Sequence, residues 1–169
     1  MLGDDASIRR IATFYFTTIH RWLPIVSKRG FFTCLLNPLA ERRTELILLG
    51  LCMKLCTNSP SAGDGDNDTT VLTLYSAAKR LYSETEASGP LSVHILQAGL
   101  LIAFYEMSQA IYPAAYLTVG ACARYGLVLG IDKFSMSAEL EGDRGPSLGS
   151  WDEVEEMRRL WWAVLSFDR

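Results

Sequence analysis

Apolar and polar positions along this chain recur mostly at the spacing of an α-helix, and one stretch departs from that pattern. Over Leu91–Met107, apolar residues fall on nearly every side of a helix drawn at about 3.6 residues per turn. The apolar run is shorter than the about 20 residues needed to cross a bilayer, and His94, Gln97 and Glu106 interrupt it. Pro90 suits the first turn of such a helix. We therefore predict a buried central helix on which the other segments pack.

The segments before the central helix show the one-sided apolar pattern of amphipathic helices. The pattern predicts a first helix over Asp5–Trp22, which Pro24 ends. A packed loop with short helical turns is expected from Ile25 to Asn37. Two more helices are predicted: one has Asn37-Pro38 as its cap and first turn and runs to about Cys56, and the other covers Thr69–Glu86.

The helix after the central one is rich in small residues. It is predicted to begin near Pro113 and to end at Gly130, because a glycine in the left-handed conformation commonly caps a helix. Each glycine inside a helix costs roughly 1 kcal/mol of helix propensity, which close contact with a neighbouring helix offsets. We predict that this helix packs against the central one.

The last predicted helix begins at Ser150, the first residue of an S-x-x-E capping box. Its predicted buried positions recur at helical spacing and are Val154, Met157, Trp161, Val164 and Leu165. Asp168 continues the same side of this helix. A buried carboxylate requires a cationic partner, and the candidates are Arg124, Arg159 and Arg169. We therefore expect a buried ion pair at Asp168.

Two polar stretches, residues 57–68 and 131–149, are predicted to be flexible loops. The first contains alternating acids, but the calcium-binding pattern needs Gly at its sixth position and Glu at its twelfth. Counted from Asp64, those positions hold Thr69 and Tyr75, so the pattern fails. Strand-like alternation is absent from the sequence. The predicted fold is an all-α, multi-helix bundle around the central helix.

The composition agrees with one helical domain that has a substantial core. Of the 169 residues, 49% are hydrophobic and 21% are charged, and the mean hydropathy is +0.13. The formal net charge is −3, whereas a free-standing nucleic-acid-binding domain usually carries an excess of positive charge. We expect these residues to make no direct nucleic-acid contact and no membrane contact.

The sequence displays no set of residues that predicts catalysis or metal binding. The cysteines, Cys34, Cys52, Cys56 and Cys122, form no C-x-x-C pair, whereas a zinc site needs about four convergent ligands. His94 lies on a helix that is apolar on every side, which favours a hydrogen-bonded core histidine over a catalytic one. We expect no catalytic residue, no cofactor and no metal in this chain.

Two segments near the C-terminus together resemble a known family. Residues 115–132, AYLTVGACARYGLVLGID, and residues 153–169, EVEEMRRLWWAVLSFDR, resemble paired segments in the regulatory domain of fungal zinc-cluster transcription factors. Weaker similarity, which begins around Tyr15-Phe16 and His20, extends the match over nearly the whole chain. The matching positions include a set that we term the signature residues: Gly120, Arg124, Leu129, Gly130, Arg158, Arg159, Trp161, Trp162, Asp168 and Arg169.

The resemblance implies an all-helical regulatory domain of a nuclear, non-enzymatic transcription factor. The family binds zinc and DNA through an N-terminal cysteine cluster that this sequence lacks, so neither function is assigned to a residue here. In the family, the residues that match Asp168-Arg169 lead into further helices. We therefore expect residues 1–169 to form the N-terminal part of the regulatory domain, either within a longer protein or in a degenerate gene. We expect the signature residues to be structural.

The expected partners are other parts of the full-length factor, the transcription machinery and a small-molecule effector. One alternative is a ligand-sensing or protein-interaction module that acts without DNA contact. In that alternative, aromatic residues line a cavity instead of forming ordinary core: Tyr75, Tyr82, Phe104, Tyr105, Tyr116 and Trp161. A small helical enzyme would need convergent polar groups, which the sequence does not display. The paired motifs argue against a scaffold unrelated to transcription.

Overall fold

The chain is described by a computed structural model that covers residues 5–36, 43–58, 65–133 and 151–169. These ranges are mainly helical and contain no β-strand, which confirms the predicted all-α class. The helices are α1 (Asp5–Thr17), α2 (Lys28–Leu36), α3 (Arg43–Thr57), α4 (Gly65–Ser88), α5 (Val93–Ser108), α6 (Ala114–Leu129) and α7 (Trp151–Phe167), with a turn of 3-10 helix over Ile19–Arg21.

Helix α5 is the predicted central helix, and it contacts α3, α4, α6 and α7. Its apolar residues are inaccessible on several sides, as Leu96, Leu101 and Ile102 show. The helix begins after Ser92, whose side chain accepts a hydrogen bond from the backbone N–H of His94. The N-cap is therefore this serine and not a first turn at Pro90, because a hydroxyl satisfies one of the unpaired N–H groups of a helix start.

The N-terminal part of the chain differs from its prediction at two places. Helix α1 ends at Thr17 rather than at Trp22. The segment expected to be a loop before residue 37 contains α2, a regular helix. Ser27 supports its start, since the Ser27 hydroxyl accepts from the N–H of Gly30 at 3.1 Å. Phe31 of α2 is buried against α1, so tertiary packing stabilises a helix that local periodicity did not reveal.

The two predicted loops fall partly on described residues. Helix α4 begins at Gly65, inside the stretch 57–68, so that part of the first prediction is wrong. In the second stretch, Ile131 is 1% exposed and belongs to the core. Residues 59–64 and 134–149, together with the predicted cap Asn37-Pro38 and the capping-box residue Ser150, lie outside the described residues.

The buried side of α7 is rotated relative to its prediction. Leu160 and Val164 are completely buried, while Leu165 is 37% exposed. Leu160 and Val164 are four residues apart and therefore share one side of the helix, which faces the core. Met157 and Trp161 are half-buried beside them. The prediction that Leu165 is part of the buried side is wrong.

Candidate functional site

The signature residues lie on α6 and α7 or just past the ends of these helices, and α6 packs closely against α5. A Cβ atom placed on Gly99 of α5 would lie 2.8 Å from Cys122 Sγ and 2.9 Å from Tyr82 Oη. A side chain at Gly99 would therefore force Cys122 or Tyr82 to move in a closely packed core. The predicted contact between the two helices is present, but the glycine that allows it belongs to α5, whereas the sequence pattern pointed to the small residues of α6.

Two glycines, one on the inward side of α6 and one at its C-terminal end, have a packing or backbone role. A Cβ atom on Gly126 would lie 3.1 Å from Cζ3 of Trp161 and 3.3 Å from Cδ1 of Ile131. Gly126 thus makes room for the indole that joins α7 to α6. Gly130 has φ +73° and caps α6 in the left-handed conformation, as predicted. Leu129 is half-buried against the core.

A polar cluster centred on Glu106 connects α4, α5 and α6. Glu106 is completely buried on α5, and its Oε1 lies 2.9 Å from Lys79 Nζ of α4. The Tyr75 hydroxyl donates to the same oxygen at 2.7 Å, and Lys79 donates to Thr118 Oγ1 of α6 at 2.9 Å. Burial, followed by the bond to Glu106, raises the pKa of Tyr75. The cluster stabilises the carboxylate inside the bundle.

A second buried cluster fixes the start of α5. The Ser92 hydroxyl donates to the Glu45 carboxylate of α3, and Nδ1 of His94 lies 3.3 Å from the same oxygen. The Ser92 N–H donates to the hydroxyl of Tyr125 on α6 at 3.0 Å. His94 therefore has the hydrogen-bonded place expected of it. Ser92 is 1% exposed, and its hydroxyl points to a carboxylate rather than to an imidazole, so the cluster does not activate a nucleophile.

A third cluster anchors α7 to the core. The Gln97 side-chain amide donates to Glu156 Oε1 and to the carbonyl of Ile25, each at 2.7 Å. The Ser27 N–H donates to the same Glu156 oxygen at 2.7 Å. Gln97 is completely buried, so these bonds satisfy the NH2 group of its amide, which otherwise would oppose burial. The sequence pattern of α7 gave no sign of this structural role of Glu156.

The outward face of α6 is apolar although it is exposed. We use this name for the residues Tyr116, Leu117, Gly120, Ala121, Arg124, Leu127 and Val128. Tyr116, Leu117 and Val128 are 73%, 69% and 66% exposed. Arg124 is the one charged residue in the sequence of α6. A Cβ atom on Gly120 would meet only Arg124 Nη1, at the ordinary distance of 3.5 Å, so packing does not require this glycine.

The signature residues of α7 are also divided between core and surface. Trp161 packs on Gly126, whereas Trp162 is 54% exposed. Arg159 Nε and Arg158 Nη1 lie 2.9 Å and 3.7 Å from the carboxylate of Glu155 on the same helix. These pairs lie near the surface and contribute little to stability.

The expectation that Asp168 forms a buried ion pair is wrong. Asp168 is exposed, as are Arg169 and Arg124. The Asp168 N–H still donates to the carbonyl of Val164 at 3.1 Å, so helical spacing reaches this residue, but the core does not extend to it. Arg159 pairs with Glu155 instead.

The cysteines do not offer a zinc site. Burial raises the pKa values of Cys56 and Cys122 to about 12, which favours the thiol over the metal-binding thiolate. Within the described ranges, His, Cys, Asp and Glu residues form no group of three that could hold a metal ion. The zinc cluster implied by the resemblance thus has no fitting ligand set in this part of the chain.

The aromatic residues considered as a cavity lining occupy different environments. Tyr82 and Tyr105 are core residues, whereas Tyr116 is largely exposed. Tyr75 and Tyr105 pack against each other with ring centroids 5.5 Å apart. Ordinary packing accounts for most of the set. No helix in the described residues has the length and apolar character needed to cross a bilayer.

The described residues form an all-α bundle that has polar clusters in its packing and an exposed apolar face on α6. A model of the fungal-specific transcription factor domain matches residues 12–169, which is nearly the whole chain. The chain belongs to this family. Its role is a regulatory one in transcription, as the resemblance of the signature segments implied.

Two named relatives agree with this family. Transcription factor BOA15 of Botryotinia fuckeliana (strain B05.10) is 38% identical over 149 residues, which cover 86% of this chain and 76% of the relative. Transcription factor tazR of Aspergillus terreus (strain NIH 2624 / FGSC A1156) is 26% identical over 159 residues, which cover 92% of this chain and 24% of the relative. No solved structure gives a significant match to the chain.

Proposed function

We propose that this domain regulates transcription in the nucleus, without enzymatic activity, through contacts between the outward face of α6 and another protein surface. In this proposal residues 1–169 form part of a regulatory domain. The partner is another part of a full-length factor or a component of the transcription machinery. Zinc and DNA binding are assigned to other segments, and this chain needs no cofactor.

The exposed apolar character of α6 is the observation that supports this proposal. Leu117, Ala121 and Val128 follow one another at helical spacing along its outer side. Soluble domains seldom expose a contiguous apolar surface unless it binds something. Signature residues lie on this face too: Gly120 and Arg124. Gly120 has no packing role inside the described chain, whereas a glycine lets a partner approach the helix closely.

The face also has the chemistry of a protein-binding site. Its apolar residues surround Arg124, and arginine is enriched in protein interfaces because it combines apolar stem contacts with directional hydrogen bonds. The α6 sequence carries no lysine and no acidic residue. A nucleic-acid partner would call for several cations, which this face lacks.

The test is complementation in a fungal strain that lacks the chromosomal gene. The double variant Leu117→Gln/Val128→Gln makes the outward face polar without emptying the core, since both side chains are exposed. We expect it to lose most of the transcript changes that the wild-type gene restores. Leu72→Gln is the matched control, because Leu72 is 63% exposed on α4, away from this face.

Fluorescently tagged proteins show whether each variant accumulates equally in the nucleus. Full restoration of transcript levels by the double variant at wild-type abundance would refute the role of the outward face. A wild-type protein that acts while held outside the nucleus by an appended export signal would refute the nuclear site of action.

A further inference from the structure

A groove runs along the hairpin of α3 and α4, and residues of both helices line it. Its volume is about 650 Å³, within the roughly 300–1,000 Å³ typical of small-molecule sites. The floor consists of apolar side chains: Ile47, Leu51, Leu74, Ala77 and Leu81. None of the aromatic residues weighed earlier as a cavity lining contributes to it.

The two ends of the groove differ in charge. Because α3 and α4 are consecutive, in contact and joined by a short connection, they run antiparallel. Lys54 and Asn58 therefore lie at one end, and Arg80 and Glu84 lie near Ile47 at the other. About 10 Å of helix separates Ile47 from Lys54 at the rise of an α-helix. The apolar strip thus has the length of a small molecule and has polar groups at each end.

Lys54 contributes a positive charge to the lining at its end of the groove. Arg80 Nε is paired with Glu84 at 2.8 Å, so these two charges cancel. Lys54 has no ion pair with any residue in the described ranges, and its side chain is half-buried. A half-buried lysine commonly lays its stem over apolar surface and keeps its ammonium group in water, where an anion can reach it.

We propose that the α3–α4 groove binds a small amphipathic molecule that has an apolar body and one anionic group, with Lys54 receiving the anion. The apolar body covers Leu51 and Leu74, and the anion accepts a hydrogen bond from the ammonium group. This site is separate from the outward face of α6 and gives the domain a means of sensing a metabolite. This proposal is tested independently of the proposed partner surface, because its test measures the binding of a small molecule and not transcript levels.

The test compares two fluorescent probes that share one apolar body. 1-Anilinonaphthalene-8-sulfonate carries a sulfonate, and N-phenyl-1-naphthylamine lacks it. We expect Lys54→Met to weaken binding of the sulfonate by about two- to fivefold, the range for an ion pair that is partly exposed, and to leave binding of the neutral probe within about twofold. Lys133→Met is the control, since Lys133 is an exposed lysine that does not line the groove.

A second pair of variants tests whether the two probes bind in the groove. Ala77 lines the groove and is exposed, so Ala77→Gln fills the floor without removing core. We expect it to weaken both probes at least tenfold, whereas Ser76→Gln on the adjacent exposed position does not. Circular dichroism melts show that the variants stay folded.

Three results would overturn the proposal. The first is equal loss of both probes in Lys54→Met, and the second is unchanged binding in Ala77→Gln. The third is a wild-type dimer in sedimentation that Ala77→Gln converts to monomer, because the groove would then be covered by a second copy of this chain.

Discussion

The inward and outward sides of α6 obey different constraints although both are almost free of charge. On the inward side, Thr118, Cys122 and Tyr125 are buried and have defined neighbours on α4 and α5. On the outward side, Leu127 and Val128 are more than half exposed. Apolar composition alone therefore does not show which side of this helix forms the core.

This difference divides the signature residues into two groups. Gly130 and Trp161 have roles inside the described chain, as a left-handed cap and as the contact with Gly126. Gly120 and Trp162 have no comparable role, because neither is enclosed by neighbouring side chains. The expectation that all signature residues are structural is thus supported by contacts for one group only, and the other group fits surface recognition.

The largest effect is expected from truncating a leucine on the buried side of α7. Leu160→Ala should lower the free energy of unfolding by about 2–5 kcal/mol, because it leaves a cavity beneath Val164. Leu165→Ala on the same helix should lower the free energy of unfolding by less than about 1 kcal/mol. Leu165 is partly exposed, so its truncation leaves no enclosed cavity. Urea unfolding of both variants measures the difference. Equal losses of stability would contradict the finding that Leu160 lies on the buried side of α7 and Leu165 does not.

The next effect concerns the polar contact on the inward side of α6. Lys79→Met should destabilise the fold by about 3 kcal/mol, because Glu106 is left buried without its cation. Arg80→Met is the control: its pair with Glu84 is on the surface, and we expect unfolding close to that of wild type. Chemical denaturation at neutral pH checks both. A Lys79→Met protein as stable as Arg80→Met would show that the buried carboxylate does not need its cation.

Much of the fold was predictable because buried helices leave a periodic pattern. The apolar run of α5 indicated the centre of the bundle, and Gly130 indicated the end of α6, since both signals are local. Helix α2 was missed because its stability comes from Phe31 packing on α1, a contact distant in sequence. Gly99 was missed because a glycine in an apolar run shows no sign of what approaches it.

The candidate surfaces were less predictable than the fold. The sequence of the outward face of α6 does not differ from that of a buried helix, because leucine, valine and tyrosine occur both in the core and on the surface. The Asp168 prediction failed because helical spacing does not show where the core ends, and Asp168 is exposed. The α3–α4 groove depends on how two separate helices meet, which periodicity within each one does not determine.

A smaller effect separates the two glycines of α6. Alanine adds the same helix propensity at either position, so the propensity gain cancels between Gly126→Ala and Gly120→Ala. The new methyl group at Gly126 meets Trp161 and Ile131, whereas at Gly120 it has ordinary space. We expect Gly126→Ala to be less stable than Gly120→Ala by about 1–3 kcal/mol. Thermal and urea unfolding measure the stability of both variants. Identical stabilities would contradict the close contact between Gly126 and Trp161.

The smallest effect appears only in alkaline solution and again comes from the inward side. Burial raises the pKa of Cys122 from 9.0 to about 12, so the folded state keeps a proton that the unfolded state releases above pH 9. A raised pKa of this kind means that stability is fully present below pH 9 and is lost as pH rises toward 12. For Cys122 alone the loss is about 1 kcal/mol between pH 9 and pH 10.

Removing this thiol isolates its contribution from that of the other buried groups that titrate in the same direction. Cys122→Ala should be less stable than wild type at pH 7, because it loses core contacts, but its stability should fall less steeply between pH 9 and pH 10. Urea unfolding in that range measures the slope of each protein. Parallel slopes would mean that Cys122 is accessible to water in the folded state, and the inward side of α6 would then be less tightly closed than the contacts at Gly99 require.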